Sequence, residues 1–174
     1  GYVFQNLLGS SSLAVTYRAR SEENGSDVVV KNLRSYFAQE TDIADAYLHS
    51  IQSVKLLEKH GILSPIEFRK TDRGIWVVYP YTDWDTLAEV LSSETLTPQD
   101  ASSLCAKMAE VLEELHALDM THRNLKPQNV FIGPDWAVQL GDFGAAVLGE
   151  KAHLLIRASL RTPDPAYAAP EQLL

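Results

Sequence analysis

The first part of the chain alternates apolar-rich runs with turn-forming residues, and this pattern predicts short strands. Two apolar-rich runs, 2–8 and 13–20, flank the turn-prone segment 9–12. The Asn-Gly pair at 24–25 is a strong hairpin signal, and the β-branched run 27–33 follows it. Three antiparallel strands are the simplest prediction for this region.

A helical period replaces the strand pattern after residue 38. The run 39–59 places apolar residues at the spacing of one helix face, namely Ile43, Tyr47, Ile51 and Val54. Gly61 is expected to end this helix. The runs 66–68 and 75–79 predict two more strands, and Pro80 closes the block. The first 80 residues thus hold five predicted strands and one predicted helix.

The second block is mainly helical. A short helix is predicted at 85–91, and a longer one begins where Thr97 can cap, Pro98 suits the first position and Asp100 completes a capping box. Its apolar stripe is typical of a core-facing helix and predicts that Cys105 is a small core residue. Beyond residue 119 the chain is loop-like, with short strands expected at 130–132 and 138–140.

Composition limits the classes of protein. The 174 residues carry 15 Lys and Arg against 23 Asp and Glu, with 45% apolar residues, as in globular domains, so wholesale disorder is excluded. The net charge of −8 disfavours nucleic acid and anionic membranes as partners. No membrane-spanning or signal-peptide pattern is found. The single cysteine excludes an internal disulfide and favours a reducing, intracellular compartment, with the cytoplasm expected.

Four segments carry the candidate chemistry. They are Val-Val-Val-Lys at 28–31, His-Arg-Asn-Leu-Lys-Pro-Gln-Asn at 122–129, Asp-Phe-Gly at 142–144 and Ala-Pro-Glu at 169–171. In this order and spacing they resemble the protein kinase family over essentially the whole chain. The resemblance implies an α+β, bilobal fold. The small lobe, 1–80, would hold a five-stranded antiparallel sheet and one helix, and 81–174 would be an incomplete, mainly helical large lobe.

The resemblance also implies a nucleotide site for ATP with Mg²⁺. Lys31 matches the lysine that pairs with the α- and β-phosphates, and Asn129 and Asp142 match the two metal ligands. Their oxygen atoms are of the hard type that Mg²⁺ prefers. The remaining nucleotide-binding positions implied by the resemblance are Gly9, Val15 and Tyr81.

The position that would handle the acceptor hydroxyl departs from the family pattern. Asn124 stands where the family has an aspartate that takes the proton of the acceptor hydroxyl, and Lys126 lies beside it. An amide can orient a hydroxyl but has no basic carboxylate. Loss of general-base assistance, typically about 10²–10⁴-fold, should be severe. Lys126 favours Ser/Thr over Tyr specificity if any transfer survives.

The positions expected to form the nucleotide pocket also depart from the family pattern. The glycine-rich loop keeps only Gly9, because Ser11 and Ala14 fill the other two glycine positions. Large side chains at the expected adenine slot are Val29, Tyr79 and Phe131.

Each of two further family positions aligns with either of two residues in this sequence. No acid occurs between 46 and 57, so the helix glutamate that should pair with the lysine falls on Ile51 or Gln52. The threonine of the substrate-binding loop aligns with Asp164 or, with a small gap, with Thr162.

The leading hypothesis is a pseudokinase that acts by binding, scaffolding or allostery toward protein partners, with weak or no ATP binding. One alternative is a weak or atypical Ser/Thr kinase that transfers the γ-phosphate to protein hydroxyls. Another is a purely structural subunit of a larger assembly. Because the family fold continues past 169–171, the chain is expected to be an incomplete domain. Apolar surface near 173–174 is then expected to lie exposed on the long helix.

Overall fold

An antiparallel sheet of five strands forms the first part of the computed structural model. The structure describes residues 1–11, 13–39, 41–55, 61–71, 74–93, 95–143 and 164–172. The strands are β1 (Tyr2–Ser10), β2 (Ala14–Ser21), β3 (Asp27–Leu33), β4 (Glu67–Thr71) and β5 (Gly74–Pro80). They lie in the order β1-β2-β3-β5-β4, all pairs antiparallel. The predicted five-stranded antiparallel sheet is confirmed.

Two helices follow β3 and contribute to the core on one face of this sheet. They are α1 (Ser35–Gln39), which the sequence pattern did not separate, and α2 (Thr41–Lys55). From α2, Tyr47 and Ile51 are fully buried in a cluster that includes Val77 and Tyr79 of β5. The predicted continuation to 59 and the side chain of Ile43 lie outside the described residues.

Helices and a small sheet make up the second part. The elements are β6 (Asp85–Thr86), α3 (Leu87–Ser93), α4 (Pro98–His116), β7 (Val130–Ile132) and β8 (Val138–Leu140), and the three strands pair in chain order. The hydroxyl of Thr97 accepts the N–H of Asp100 at 3.2 Å and donates to its carboxylate at 2.6 Å. The predicted cap of the long helix is therefore present.

A narrow stripe of apolar residues on helix α4 packs into the hydrophobic core of the second part of the chain. Leu104 and Leu115 are buried there with Val130 and Leu140. Cys105, expected in the core, is exposed, because it lies about 100° round the helix from Leu104. The apolar surface expected near 173–174 lies outside the described residues. Within the described part of the chain, no helix is long and apolar enough to cross a membrane.

The segment after α2 connects the two parts. Gly61 has φ +67, and its carbonyl accepts the N–H of Leu140 at 2.9 Å. The N–H of Leu63 donates to the Leu140 carbonyl at 2.8 Å, and Ile62 forms a parallel bridge with the same residue. A side chain at 61 would meet Val111 at 2.6 Å, so glycine is needed here. This pairing joins the segment that precedes β4 to the end of β8, the strand that Asp142 follows.

Candidate functional site

An ion pair between Lys31 and Asp142 lies at the centre of the site. Lys31 is the direct partner of Val77 in the sheet, so its side chain lies on the face that carries α2. Its ammonium contacts the Oδ1 atom of Asp142, and the two side chains are 14% and 29% exposed. Burial acts to lower the pKa of Lys31, but the Asp142 charge overrides it and the pKa is raised. Burial acts to raise the pKa of Asp142, and Lys31 in turn lowers it.

Asn124 forms a hydrogen bond with the second oxygen of the same carboxylate. Its Nδ2 atom donates to Oδ2 of Asp142 at 3.0 Å. The Asp142 carboxylate is thus held by a cation on one oxygen and by an amide on the other. The backbone of Asp142 has φ +62, a conformation that residues other than glycine seldom adopt. Lys31 and Asp142, predicted as nucleotide-binding and metal residues, are brought together here, with Asn124 beside them.

Backbone contacts hold Asn124 in place. Its N–H donates to Nδ1 of His122 at 3.2 Å, which leaves Nε2 of the neutral ring to donate to the Gly141 carbonyl at 3.0 Å. Burial lowers the pKa of His122, and the ring packs 4.2 Å from that of Phe143. Asn129 donates from Nδ2 to the Asn124 carbonyl at 2.7 Å. The loop is therefore tied to the strand end that carries Asp142.

Asn129 and Asp142 form a partial set of metal ligands. The amide nitrogen of Asn129 is used within the loop, and its oxygen is the ligand atom that remains. Two oxygen ligands suit Mg²⁺, which usually keeps waters and substrate phosphates as further ligands. Within the described residues, no group of three or more His, Cys, Asp and Glu is placed to hold a metal. The residues therefore fit Mg²⁺ only if Asp142 is released from Lys31 and Asn124.

The helix position that faces the ion pair is Tyr47, which the sequence pattern assigned only to the core. Gln52 is exposed, whereas Ile51 is fully buried in the apolar cluster, so neither of these residues meets Lys31 as an acid would. Tyr47 and Tyr79 are buried close to each other and to Asp142. Burial raises the pKa of both phenols, and among the described residues neither hydroxyl meets a partner at standard hydrogen-bonding geometry, although the two phenols interact with each other. Two phenol rings are thus buried beside the ion pair.

Two side chains form hydrogen bonds with the backbone of the glycine-rich loop. The Ser11 hydroxyl accepts the N–H groups of Leu13 and Ala14, both at 3.2 Å. Arg34 donates to the Ser11 carbonyl from Nε at 3.2 Å and from Nη2 at 3.0 Å. The N–H groups of Leu13 and Ala14, which could otherwise meet a phosphate, are therefore satisfied within the protein. A Cβ atom at Gly9 would meet nothing within 4 Å, so packing does not explain glycine at that position.

The sheet register corrects the expectation for Val15. Val15 pairs with Asn32, whereas Thr16 pairs with Lys31. Direct partners share a face and neighbours along a strand do not. Thr16 therefore shares the face of Lys31, and Val15 lies on the opposite one.

Tyr81 lies directly after the sheet. The guanidinium of Arg18 is 4.1 Å from its ring centroid and also pairs with Asp27. The ring of Tyr81 is therefore already covered by a cation on β2. This contact could not be read from the sequence, because Arg18 and Tyr81 are far apart along the chain.

The last described segment, 164–172, contacts the loop at 122–129. Lys126 lies 3.9 Å from the Asp164 carboxylate, which favours the alignment that assigns Asp164 to the threonine position. Gln172 donates to the Arg123 carbonyl at 2.8 Å. Thr162, the other candidate, lies outside the described residues.

A family comparison agrees with this arrangement. The model of the protein kinase domain matches residues 2–174. The chain belongs to the protein kinase family.

Curated relatives of this kinase-family chain are named as protein kinases. It is 24% identical over 177 residues to a Ser/Thr protein kinase, PknA of Corynebacterium glutamicum, covering 98% of the chain and 38% of that protein. It is 27% identical over 174 residues to cyclin-dependent kinase D-1 of Arabidopsis thaliana, covering 97% and 44%. The chain therefore spans less than half the length of either relative.

Solved structures support the same fold. The kinase domain of Mycobacterium tuberculosis PknI aligns with a TM-score of 0.71 at 20% identity, covering 83% of this chain and 59% of that one. A likeness at this identity confirms the kinase-like fold.

Proposed function

We propose that this kinase-family chain is a pseudokinase that acts by binding, scaffolding or allostery, with absent or very weak phosphotransfer. The observation that carries the proposal is the contact between Asn124 and Asp142. The side chain at the base position is an amide, and its N–H group donates to the carboxylate at 3.0 Å. An amide has no basic lone pair for a hydroxyl proton, and this one is already engaged.

Weak or absent ATP binding follows from the same part of the molecule. Phosphoryl transfer depends on phosphates and Mg²⁺ held in line with the acceptor, and the metal supplies charge neutralisation when bound. Here Lys31 and Asp142 satisfy each other, the Ser11 hydroxyl takes two loop amides, and Tyr47 and Tyr79 are buried beside the ion pair. A nucleotide would have to displace each of these contacts.

Protein partners are the proposed ligands. The regions we assign to them are the helix face around the exposed Gln52, the surface near Tyr81, and the segment 142–171, of which 144–163 lies outside the described residues.

A thermal-shift titration with Mg-ATP tests the nucleotide claim. Stabilisation by a ligand grows as RT ln(1 + [L]/Kd), so a blocked cleft gives a negligible shift at millimolar nucleotide. The matched control is Asp142→Ala, which removes the metal ligand and frees Lys31. A shift of several degrees in the original chain that Asp142→Ala abolishes would contradict weak binding.

A weak Ser/Thr kinase is the second candidate. It is favoured by the presence of Lys31, Asn129 and Asp142 at the nucleotide and metal positions, by the unexplained Gly9, and by relatives named as Ser/Thr kinases. A radiolabel transfer assay on the longest available form of the protein decides between the two. Incorporation that Asp142→Ala abolishes and Asn124→Asp increases would establish the enzyme, and no incorporation by either form would exclude it.

A further inference from the structure

We propose that the face of the five-stranded sheet opposite α2 carries a docking groove for a basic side chain, lysine or arginine, of a protein partner. The proposal rests on the proposed function in taking a protein as the partner, and it adds the chemistry which that partner presents. We call this site the outer groove. Its lining includes Tyr2, Phe4, Val30, Glu67, Trp76 and Val78.

The outer groove lies on the sheet face that α2 does not cover. Along β5, Val77 and Tyr79 belong to the cluster with α2, so the alternating residues Trp76 and Val78 lie on the other face. Val78 pairs with Val30 of β3, and the two are 3% and 1% exposed, so they form an apolar floor. The groove encloses about 270 Å³, below the roughly 300–1,000 Å³ of pockets that bury a drug-sized ligand. This size favours one long side chain over a whole small molecule.

Aromatic rings form one wall of the outer groove. Phe4 is 46% exposed, and its ring centroid lies 5.7 Å from that of Trp76 and 5.2 Å from that of Tyr17. Tyr2, on the same strand as Phe4, packs against the buried floor. Aromatic faces attract lysine and arginine cations that lie within about 6 Å of the ring centroid. The rings also offer apolar contact to the methylene groups of such a side chain.

A carboxylate provides the opposite charge. Glu67 pairs with Val78 across β4 and β5, so it lies beside the floor. Its Oε2 atom accepts from Arg69 at 3.3 Å, whereas Oε1 is buried and meets no partner at hydrogen-bonding geometry among the described residues. Burial and then the neighbouring Glu67 raise the pKa of Tyr2, which places that phenol beside the carboxylate without satisfying Oε1. A buried oxygen without a donor costs free energy, and a donor from a partner would remove that cost.

The local charge is complementary to a base. The charged groups that act on the Tyr2 phenol are two acids, Glu67 and Glu23, and one base, Arg69. Arg69 is 66% exposed, and an ion pair this exposed is weak, so it competes little for Glu67. The outer groove is negative on balance, which favours a basic partner side chain and disfavours an acidic one.

The test is a titration with short peptides, followed by NMR through the indole N–H signal of Trp76. Trp76→Phe identifies this signal among those of the three tryptophans. The probes are acetylated and amidated Gly-Gly-X-Gly-Gly peptides in which X is lysine, arginine or norleucine, the uncharged match of lysine. We expect the lysine and arginine peptides to shift the signal saturably, and the norleucine peptide to bind at least about fivefold more weakly.

Substitutions on β4 separate the outer groove from net charge. Glu67→Gln should weaken binding of the lysine peptide by about tenfold or more, because it removes a charge-assisted hydrogen bond. Arg69→Ala should strengthen binding by about 2- to 5-fold, because it removes the competing cation. Lys70→Ala is the matched control, since Lys70 lies on the other face of the strand and pairs with Asp45 at 2.9 Å. It changes the net charge equally and should leave binding unchanged.

Four results would overturn the proposal. A norleucine peptide that binds as tightly as the lysine peptide would assign the groove to an apolar partner. A Trp76 signal that moves on dilution of the protein alone would assign it to a second copy of the chain. No response to millimolar lysine peptide, or unchanged binding in Glu67→Gln, would also refute it.

The peptide comparison on the original chain decides the matter even if a variant does not fold. These measurements involve neither nucleotide nor phosphotransfer. A failure of the outer groove is therefore distinguishable from a failure of the proposed function.

Discussion

Two tyrosine side chains are buried beside the ion pair of Lys31 and Asp142. Tyr47 and Tyr79 bury two phenol groups beside the ion pair, and within the part of the chain that the structure describes their hydroxyls have no hydrogen-bond partner of standard geometry. An unsatisfied buried hydroxyl costs free energy, whereas the ring contributes apolar contacts. The two residues therefore act as space-filling groups, and their hydroxyls should be dispensable.

Tyr47→Phe tests this interpretation. Removing an unpartnered hydroxyl while keeping the ring should leave the free energy of unfolding unchanged or raise it by up to about 1 kcal/mol. Tyr47→Ala is the matched control and should cost about 3–5 kcal/mol as a large-to-small core substitution. Urea unfolding measures both. A loss of more than about 1 kcal/mol in Tyr47→Phe would show that the hydroxyl has a partner after all.

His122 should make stability depend on pH. Its folded-state pKa lies below the ordinary value of about 6.5 because the ring is buried. Between the two pKa values the unfolded chain binds more protons, so the free energy of unfolding falls as pH falls below about 6.5. Above about pH 6.5 the contribution of the neutral His122 to the free energy of unfolding is complete.

Denaturant titrations at pH 5 and pH 7.5 measure this effect. His122→Asn should flatten the pH dependence between these values, whereas a change at the exposed His116 to Gln should retain it. An unchanged slope in His122→Asn would assign the dependence to another group.

At the scale of elements, the glycine-rich loop shows how one side chain changes the use of a backbone. The turn between β1 and β2 keeps its hairpin connection, but Ser11 accepts two of its N–H groups and Arg34 holds its carbonyl. A loop whose donors are satisfied internally has less to offer a phosphate.

Ser11→Gly should release this loop. Two freed backbone donors, each worth about 0.5–1.5 kcal/mol, together contribute about 1–3 kcal/mol and should strengthen Mg-ATP binding by about 5- to 150-fold. Ser11→Ala frees the same donors but keeps the Cβ atom, so it should give a smaller gain. Isothermal titration calorimetry compares the two variants. If neither variant binds better than the original chain, the cleft is closed by something other than the loop.

At the scale of the whole molecule, the ion pair joins the two parts of the fold. Lys31 lies on β3 of the five-stranded sheet, and Asp142 follows β8 of the small sheet. The contact spans 111 residues of chain. Its loss should therefore weaken the connection between the two parts as well as the local site.

Lys31→Met tests the joining role. It leaves a mostly buried carboxylate with Asn124 as its remaining partner among the described residues and should cost about 2–3 kcal/mol, less than for a fully buried pair because Asp142 is 29% exposed. Lys31→Met/Asp142→Asn removes the unpaired charge and should recover part of the loss. Urea unfolding followed by far-ultraviolet circular dichroism measures both variants. Equal stability of Lys31→Met and the original chain would contradict the joining role.

The sequence by itself determined the elements and the family. Strand patterns at 2–33, the cap at Thr97 and the spacing of the motifs are local signals, and the structure confirms the elements they predict. They could be read because hydrogen bonds along the chain and apolar periodicity depend on nearby residues. The substitution of Asn124 was visible for the same reason.

Only the tertiary structure decided which side chains meet. Tyr47 near the ion pair, the amide of Asn124 on Asp142, and Thr16 in place of Val15 on the face of Lys31 all depend on register and on contacts between distant segments. A shift of one residue in a strand reverses its faces, and a helix rotates by about 100° per residue. A difference of one position, which leaves the strands and helices unchanged, therefore changes which side chains reach the core or the site, as the exposed Cys105 and the pairing of Val15 with Asn32 show.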